Sequence, residues 1–196
     1  VQLVSDSLIN IVSINVFPAI MARLVNLAAI GGYNIANGIS INIDERLKPV
    51  LMHSLFPAFA KIRDNAEKLA TNYLLVTTYG SLVNFPLLVG TFVASTAIVT
   101  TFFGPEWRFI DDLVKILCLA GMFRSLDVPV ISLLLVKAKM YLNVRVGIVK
   151  LIMGALLAYV LGTYYGIIGI VSSFLIVQVA NTILGYFFMV RPCVSG

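Results

Sequence analysis

Long apolar runs, separated by short clusters of charge, dominate this chain. No Asp, Glu, Lys or Arg occurs between Leu69 and Pro105, nor between Leu151 and Val190. A membrane-crossing helix needs about 20 mostly apolar residues at about 1.5 Å rise each. The first run predicts one helix over 69–101. Pro86 falls inside it and predicts a kink, which helices in a bundle tolerate. The turn FFGPEW (102–107) follows. As a single helix, the second run would be about 60 Å long, twice the hydrocarbon thickness. It has to turn back, and the Gly-rich GTYYGIIG (162–169) is the place. Two helices result, over 141–161 and 167–190. Another lies over 110–136, with Trp107 as its interfacial anchor. Upstream, 3–27 predicts a helix containing Pro18, and 30–62 predicts one carrying Asp44, Glu45, Arg46 and Lys48 near its middle. GGYNIANG (31–38) reads as a turn or a loosened helix start.

The expected fold is all-α, an integral membrane bundle of about six transmembrane helices over 1–196. The connections test that count independently. The second carries Lys61, Arg63 and Lys68, and the fourth carries Lys137 and Lys139, with Arg145 in the next turn. Arg191 follows the sixth helix, and the first and fifth connections have no Lys or Arg. The third offsets Arg108 with Glu106, Asp111 and Asp112. Six antiparallel spans explain this alternation, and five or seven would break it. The reading puts both ends of the stretch on the cytoplasmic side of an inner membrane. The start at Val1 and the stop at Gly196 are read as those of a fragment, and no signal-peptide pattern opens it.

Composition removes the soluble alternatives. Hydrophobic residues make up 60% of the chain and charged ones 12%, whereas a soluble domain carries about a quarter charged. The net charge of +5 speaks to orientation in a bilayer, and no nucleic-acid motif accompanies it. Cys118 and Cys193 form no CxxC pair, and a lone His53 cannot anchor a metal cluster. HExxH, GxSxG, Walker and dinucleotide-binding patterns are missing, so neither an enzyme nor a cofactor is expected. Asp111 and Asp112 are adjacent at a helix start, where they suit the helix dipole and a wet interface better than catalysis.

Charges inside the spans are the informative residues. Each costs about 2.5–3.5 kcal/mol on insertion scales, and so tends to face a cavity or a partner. Arg124 and Asp127 lie three apart on neighbouring positions of one helix face. Asp44, Arg46 and Lys48 sit together in the second helix, and Lys150 lies two turns into the fifth. Local ion pairing and snorkelling would also account for Asp44 with Lys48 and for Lys150. Arg124 is too central to snorkel easily, which points to a polar cavity. Arg23 either caps the first helix or lines the same cavity. Gln178 and Asn181, three apart in the last helix, suit hydrogen bonds between helices.

Three stretches carry a resemblance to a known family. They are AAIGGYNIANGIS (28–40) with LFPAFAKIRDNAEKL (55–69), FFGPEW leading into ILCLAGMFRSL (102–126), and YYGIIGIVSSFLI (164–176). In order and spacing they resemble the oligosaccharide flippases of the polysaccharide biosynthesis family, the Wzx type. That family belongs to the multidrug/oligosaccharidyl-lipid/polysaccharide superfamily. The resemblance implies the second six-helix half of a transporter with twelve to fourteen helices. Its cargo would be a polyprenyl-diphosphate-linked oligosaccharide, moved by alternating access. Arg124, Asp127, Arg46, Lys48, Asp44, Lys150 and Arg23 would line the cavity, where positive charge offsets the diphosphate. The partners implied are the lipid-linked oligosaccharide, membrane lipid and the missing first half, with no nucleic acid. One departure matters. Family members often carry an Asp a few residues before the Arg matching Arg23, but this chain reads NVFPAIMARL (15–24) there. A role assigned to that Asp does not carry over. Other readings are a drug/cation antiporter, a membrane enzyme of glycan assembly and a purely structural subunit. The antiporter would want an excess of buried carboxylates, whereas the charges here lean basic. The enzyme would want a catalytic base or a large loop.

Overall fold

The computed structural model describes residues 17–40, 55, 57–62, 65–137 and 139–190. Asp44, Arg46 and Lys48 lie outside the described residues. Helices α1 (17–24), α2 (Leu27–Ser40) and α3 (57–61) precede the long α4 (Ala66–Phe102). Then come α5 (Asp111–Ser125), α6 (Val128–Val136) and α7 (Met140–Gly185). No strand occurs among the described residues.

Local chemistry sets the boundaries. Asn65 caps α4, its side chain accepting the Lys68 N–H at 2.9 Å, and Glu67 sits in the first turn at the positive end of the dipole. The helix runs on through Pro86 to Phe102. Thr71, Thr77 and Thr91 each donate a hydroxyl to the carbonyl four residues back, so α4 settles these polar groups within itself. Gly104 ends the turn after α4 at φ 97°, a conformation that side chains resist, and a 3-10 helix (Pro105–Ile110) leads into α5.

The turn between α1 and α2 falls at Val25–Asn26. Asn26 accepts the Ala29 N–H at 2.8 Å, a helix-capping bond. GGYNIANG, read from sequence as a turn or a loosened start, instead lies wholly within α2. Its glycines serve packing. A Cβ on Gly32 would fall 2.7 Å from Ile110 and 2.8 Å from Phe109.

The 40-residue apolar run does turn back. Within α7 only Gly166 leaves helical geometry, at φ 60° and ψ −137°, a region essentially reserved for glycine. The two arms then pack antiparallel. Gly154 faces Val177, Gly162 faces Ile170, and Gly169 sits so tightly on the Leu161 carbonyl that no Cβ fits. Small residues permit this close approach.

Side-chain neighbours give each helix its direction. Ser95 meets Asp111 and Leu88 meets Gly121, so α4 and α5 run antiparallel. Phe17 lies at Gly154 and Leu24 at Gly162, so α1 runs alongside the first arm of α7. Consequently Val25–Asn26, the FFGPEW turn and Gly166 share one end of the bundle. Lys61, Lys137 and Lys139 share the other, the basic end. There Phe59, Leu69, Tyr73, Leu133, Leu134 and Met140 form one apolar cluster. Helix α5 is central, packing on α4, α7 and α2, with Leu113, Val114, Leu117 and Cys118 buried.

Apolar side chains also cover the outside. Leu82, Val93, Ile152, Leu156 and Tyr164 are all more than half exposed. A surface of this kind belongs against lipid or another helix, not water. Three stretches are long and apolar enough to cross a membrane, namely Glu67–Phe102, Pro105–Val136 and Met140–Phe188. The protein is a multi-pass helical membrane protein.

Candidate functional site

The span expected as one helix over 110–136 is broken in its interior. Pro129 has no N–H to give the Ser125 carbonyl, and its ring disfavours a helical residue before it. Helix α5 closes with bonds of the tighter three-residue type, Leu126 N–H to Phe123 O at 3.2 Å and Asp127 N–H to Arg124 O at 3.1 Å. Helix α6 begins one residue later. Arg124 and Asp127 flank this break.

Asp127 occupies the N-cap position of α6, yet its carboxylate makes no cap bond. It reaches across to the second arm of α7. Its Oδ2 accepts from Gln178 Nε2 and from Asn181 Nδ2, both at 2.7 Å. Gln178 is buried, and its Oε1 accepts from Lys150 Nζ on the first arm at 3.3 Å. Thr182, one turn on from Gln178, donates to the Phe123 carbonyl at 3.3 Å. Gln178, Asn181 and Thr182 share a helix face by their spacing of three and four. Lys150, Gln178, Asp127 and Asn181 therefore form one network joining the α5/α6 break to both arms of α7. Lys150 stands about 15 Å along its arm from Met140, half the depth of a hydrocarbon core of about 30 Å. Hydrogen bonds to a charged group are shorter and stronger than neutral ones, and a low dielectric strengthens them further.

Of the residues singled out from sequence, Asp127 and Lys150 are brought together, with Gln178 between them. Arg124 is half-buried in the last turn of α5. Arg23 is exposed on α1, beside Leu24, which packs at Gly162. Gly162 is twelve residues along the arm from Lys150, about 18 Å, so Arg23 stands toward the Gly166 end.

A second polar cluster occupies that end. Asp111 opens α5 and accepts from Ser95 Oγ, from Thr96 Oγ1 at 2.8 Å and from Lys115 Nζ at 2.8 Å. The sequence reading gave Asp111 the helix dipole and missed the two hydroxyls, which arrive from α4. Their signal was an adjacent Ser-Thr pair inside an uncharged run, about one helix length before Asp111. Among the described residues, no group of three or more His, Cys, Asp or Glu is placed to hold a metal ion.

A protein-family model described as polysaccharide biosynthesis protein matches residues 1–112. The chain belongs to that family. It is 36% identical over 194 residues to the lipopolysaccharide biosynthesis protein WzxC of Escherichia coli K12, covering 99% of this chain and 39% of that protein. An uncharacterized membrane protein in the cps region of Klebsiella pneumoniae is 35% identical over 191 residues, again 39% of that protein. The teichuronic acid biosynthesis protein TuaB of Bacillus subtilis is 30% identical over 135 residues, which is 69% of this chain and 28% of TuaB. The chain thus spans about two fifths or less of these relatives' lengths. No solved structure matches it.

Proposed function

We propose that this chain is one half of a flippase carrying a polyprenyl-diphosphate-linked oligosaccharide across the cytoplasmic membrane, and that it is not an enzyme. The observation that carries the reading is the polar network at the α5/α6 break, which joins Lys150, Gln178, Asp127 and Asn181 among apolar helices, with half-buried Arg124 in the adjacent last turn of α5. Charges are kept at that depth where they face a cavity or a partner. An anionic diphosphate is a fitting partner, because a guanidinium can bind it in bidentate fashion and an ammonium as a point charge. Relatives named for lipopolysaccharide and teichuronic acid biosynthesis support a glycan as the cargo. The share of those relatives left uncovered has room for a second half-bundle, which would close the cavity. The lipid tail would remain in the bilayer while the head group crosses between the halves.

The test is glycan export by the full-length parent protein, normalised to its abundance in the membrane. Arg124→Ala is expected to abolish export while the protein still accumulates. Arg124→Lys is expected to restore it only partly, since Lys keeps the charge but not the planar fork. A purely structural Arg124 gives another pattern. Arg124→Ala then fails to accumulate, and adding Asp127→Ala recovers both abundance and export. Full export by a well-expressed Arg124→Ala protein overturns the proposal.

A further inference from the structure

After Asp127 the chain has no further Asp or Glu, while Lys137, Lys139, Arg145, Lys150 and Arg191 follow. The first arm of α7 opens at Met140 and packs Leu142 and Val146 against the apolar cluster at the basic end. Tyr141 and Arg145, one residue before each of these, are exposed. The Arg145 guanidinium lies over the Tyr141 ring, 5.4 Å from its centroid. Helical side chains lean toward the N-terminus, so this contact draws the charge back toward the basic end. A guanidinium stacked on a ring keeps its N–H donors along its edges, in its own plane. Beyond Arg145 the same face is apolar. Tyr141, Arg145, Ile148, Ile152, Leu156 and Tyr159 follow one another at spacings of three and four, which makes a single stripe. Ile152 and Leu156 are each 64% exposed. At helical rise the stripe is about 27 Å long, close to a hydrocarbon thickness of about 30 Å. A tyrosine at either end suits the two interfaces.

We infer that the outer face of the first arm of α7 holds an anionic phospholipid at the basic end of the bundle, its phosphate on the Arg145 guanidinium and an acyl chain along Ile148 and Ile152. Charge and length choose this occupant. An apolar helix laid on the stripe would cover the isoleucines and bury the guanidinium at a cost. A phospholipid matches both parts, with its chain on the apolar stretch and its phosphate at headgroup depth. Ile148 and Ile152 stand about 4.5 and 10.5 Å beyond Arg145 along the axis, within one leaflet of about 15 Å. A basic end attracts an anionic lipid more than a zwitterionic one, whose own cation offsets its phosphate. The inference needs only the membrane placement of these helices and stands whatever the cargo is.

The test uses the full-length parent, cleared of other reactive cysteines, in phosphatidylcholine nanodiscs. A fluorophore is attached at Leu156→Cys, next to the acyl-chain site, or at Leu82→Cys, an exposed position on α4. Each protein is quenched by equal fractions of phosphatidylglycerol or phosphatidylcholine carrying a nitroxide on an acyl chain. At Leu156 phosphatidylglycerol is expected to be preferred about fivefold, which corresponds to about 1 kcal/mol for one basic residue at a bilayer surface. At Leu82 no preference is expected. Arg145→Gln is expected to abolish the preference at Leu156, and Arg145→Lys to keep part of it. Lys68→Gln removes another exposed cation of the basic end and is expected to keep it all. Equal quenching by the two lipids at Leu156 overturns the inference, as does a preference that survives Arg145→Gln. Equal loss in Lys68→Gln also overturns it, since the whole basic end would then be attracting lipid without a site. Quenching by neither lipid means that another part of the parent or a second copy covers this face, and overturns it too. The comparison of Leu156 with Leu82 needs no change at Arg145, so the inference can fail even if Arg145→Gln does not accumulate.

Discussion

Two of the carboxylates in this bundle, Asp111 and Asp127, are satisfied in different ways. Asp111 finds Lys115 one turn along its own helix and two hydroxyls on the adjacent α4, with the Lys115 side chain still 34% exposed. Asp127, half-buried, finds two amides on a helix 51 and 54 residues away. The first arrangement settles a charge locally, at the end of a span, and staples α4 to α5. The second brings two amide donors to the carboxylate and couples it through Gln178 to Lys150. Local pairing suits a structural charge. Distant pairing across a broken helix suits a working one, because every part of it shifts when the helices shift.

The comparison breaks most completely if the basic end and the Asp111 end of the bundle do not lie on opposite sides of the membrane. In a full-length parent, Lys61→Cys marks the basic end and Glu106→Cys the Asp111 end. An impermeant thiol reagent is expected to reach them from opposite faces, Glu106→Cys from outside. Labelling of both from one face removes the antiparallel arrangement and the cytoplasmic placement of the basic end.

Asp127→Leu comes next. It leaves the Gln178 and Asn181 donors and the Lys150 charge without their carboxylate. Breaking a buried charged network in this way costs about 3–5 kcal/mol. Lost membrane abundance and lost export are expected together, and near-normal thermal denaturation would show that the network carries little.

Asp111→Asn should cost less, about 1–3 kcal/mol, because one partly accessible group loses its charge and keeps a side chain of the same shape. Export per molecule is expected to survive. Export lost at normal abundance would move the working site to the Gly166 end and reverse the comparison. Lys115→Met is expected to have the smallest effect, with melting temperature and export both within error, since Asp111 keeps its two hydroxyl donors and a half-exposed i,i+4 pair contributes little.

Much of this was legible beforehand, for a physical reason. A run of 40 apolar residues is too long for one crossing, so its reversal at 162–169 followed from length, and Gly166 performs it. The helix over 69–101 emerged as Ala66–Phe102, because no charge interrupts that run and its hydroxyls can bond the helix's own carbonyls. Two local signals were misread. The glycines of 31–38 allow α2 to approach Ile110 and Phe109, so they sit inside a helix, and Asn26 makes the turn instead. The sequence Asp127-Val128-Pro129 foretold a break that the length and mostly apolar character of 110–136 concealed.

The amino-acid sequence by itself therefore determined the solvent, the helical class, the lengths of the later helices and the family. Each of these depends on composition and spacing along the chain. Only the tertiary structure decided that Asp127 belongs with Gln178 and Asn181, that Gln178 also holds Lys150, and that Arg23 stands toward the other end. Those pairings span 28 to 54 residues and depend on the rotation and register of one packed helix against another. Small residues such as Gly121, Gly154 and Gly162 set that register through contacts no local pattern encodes.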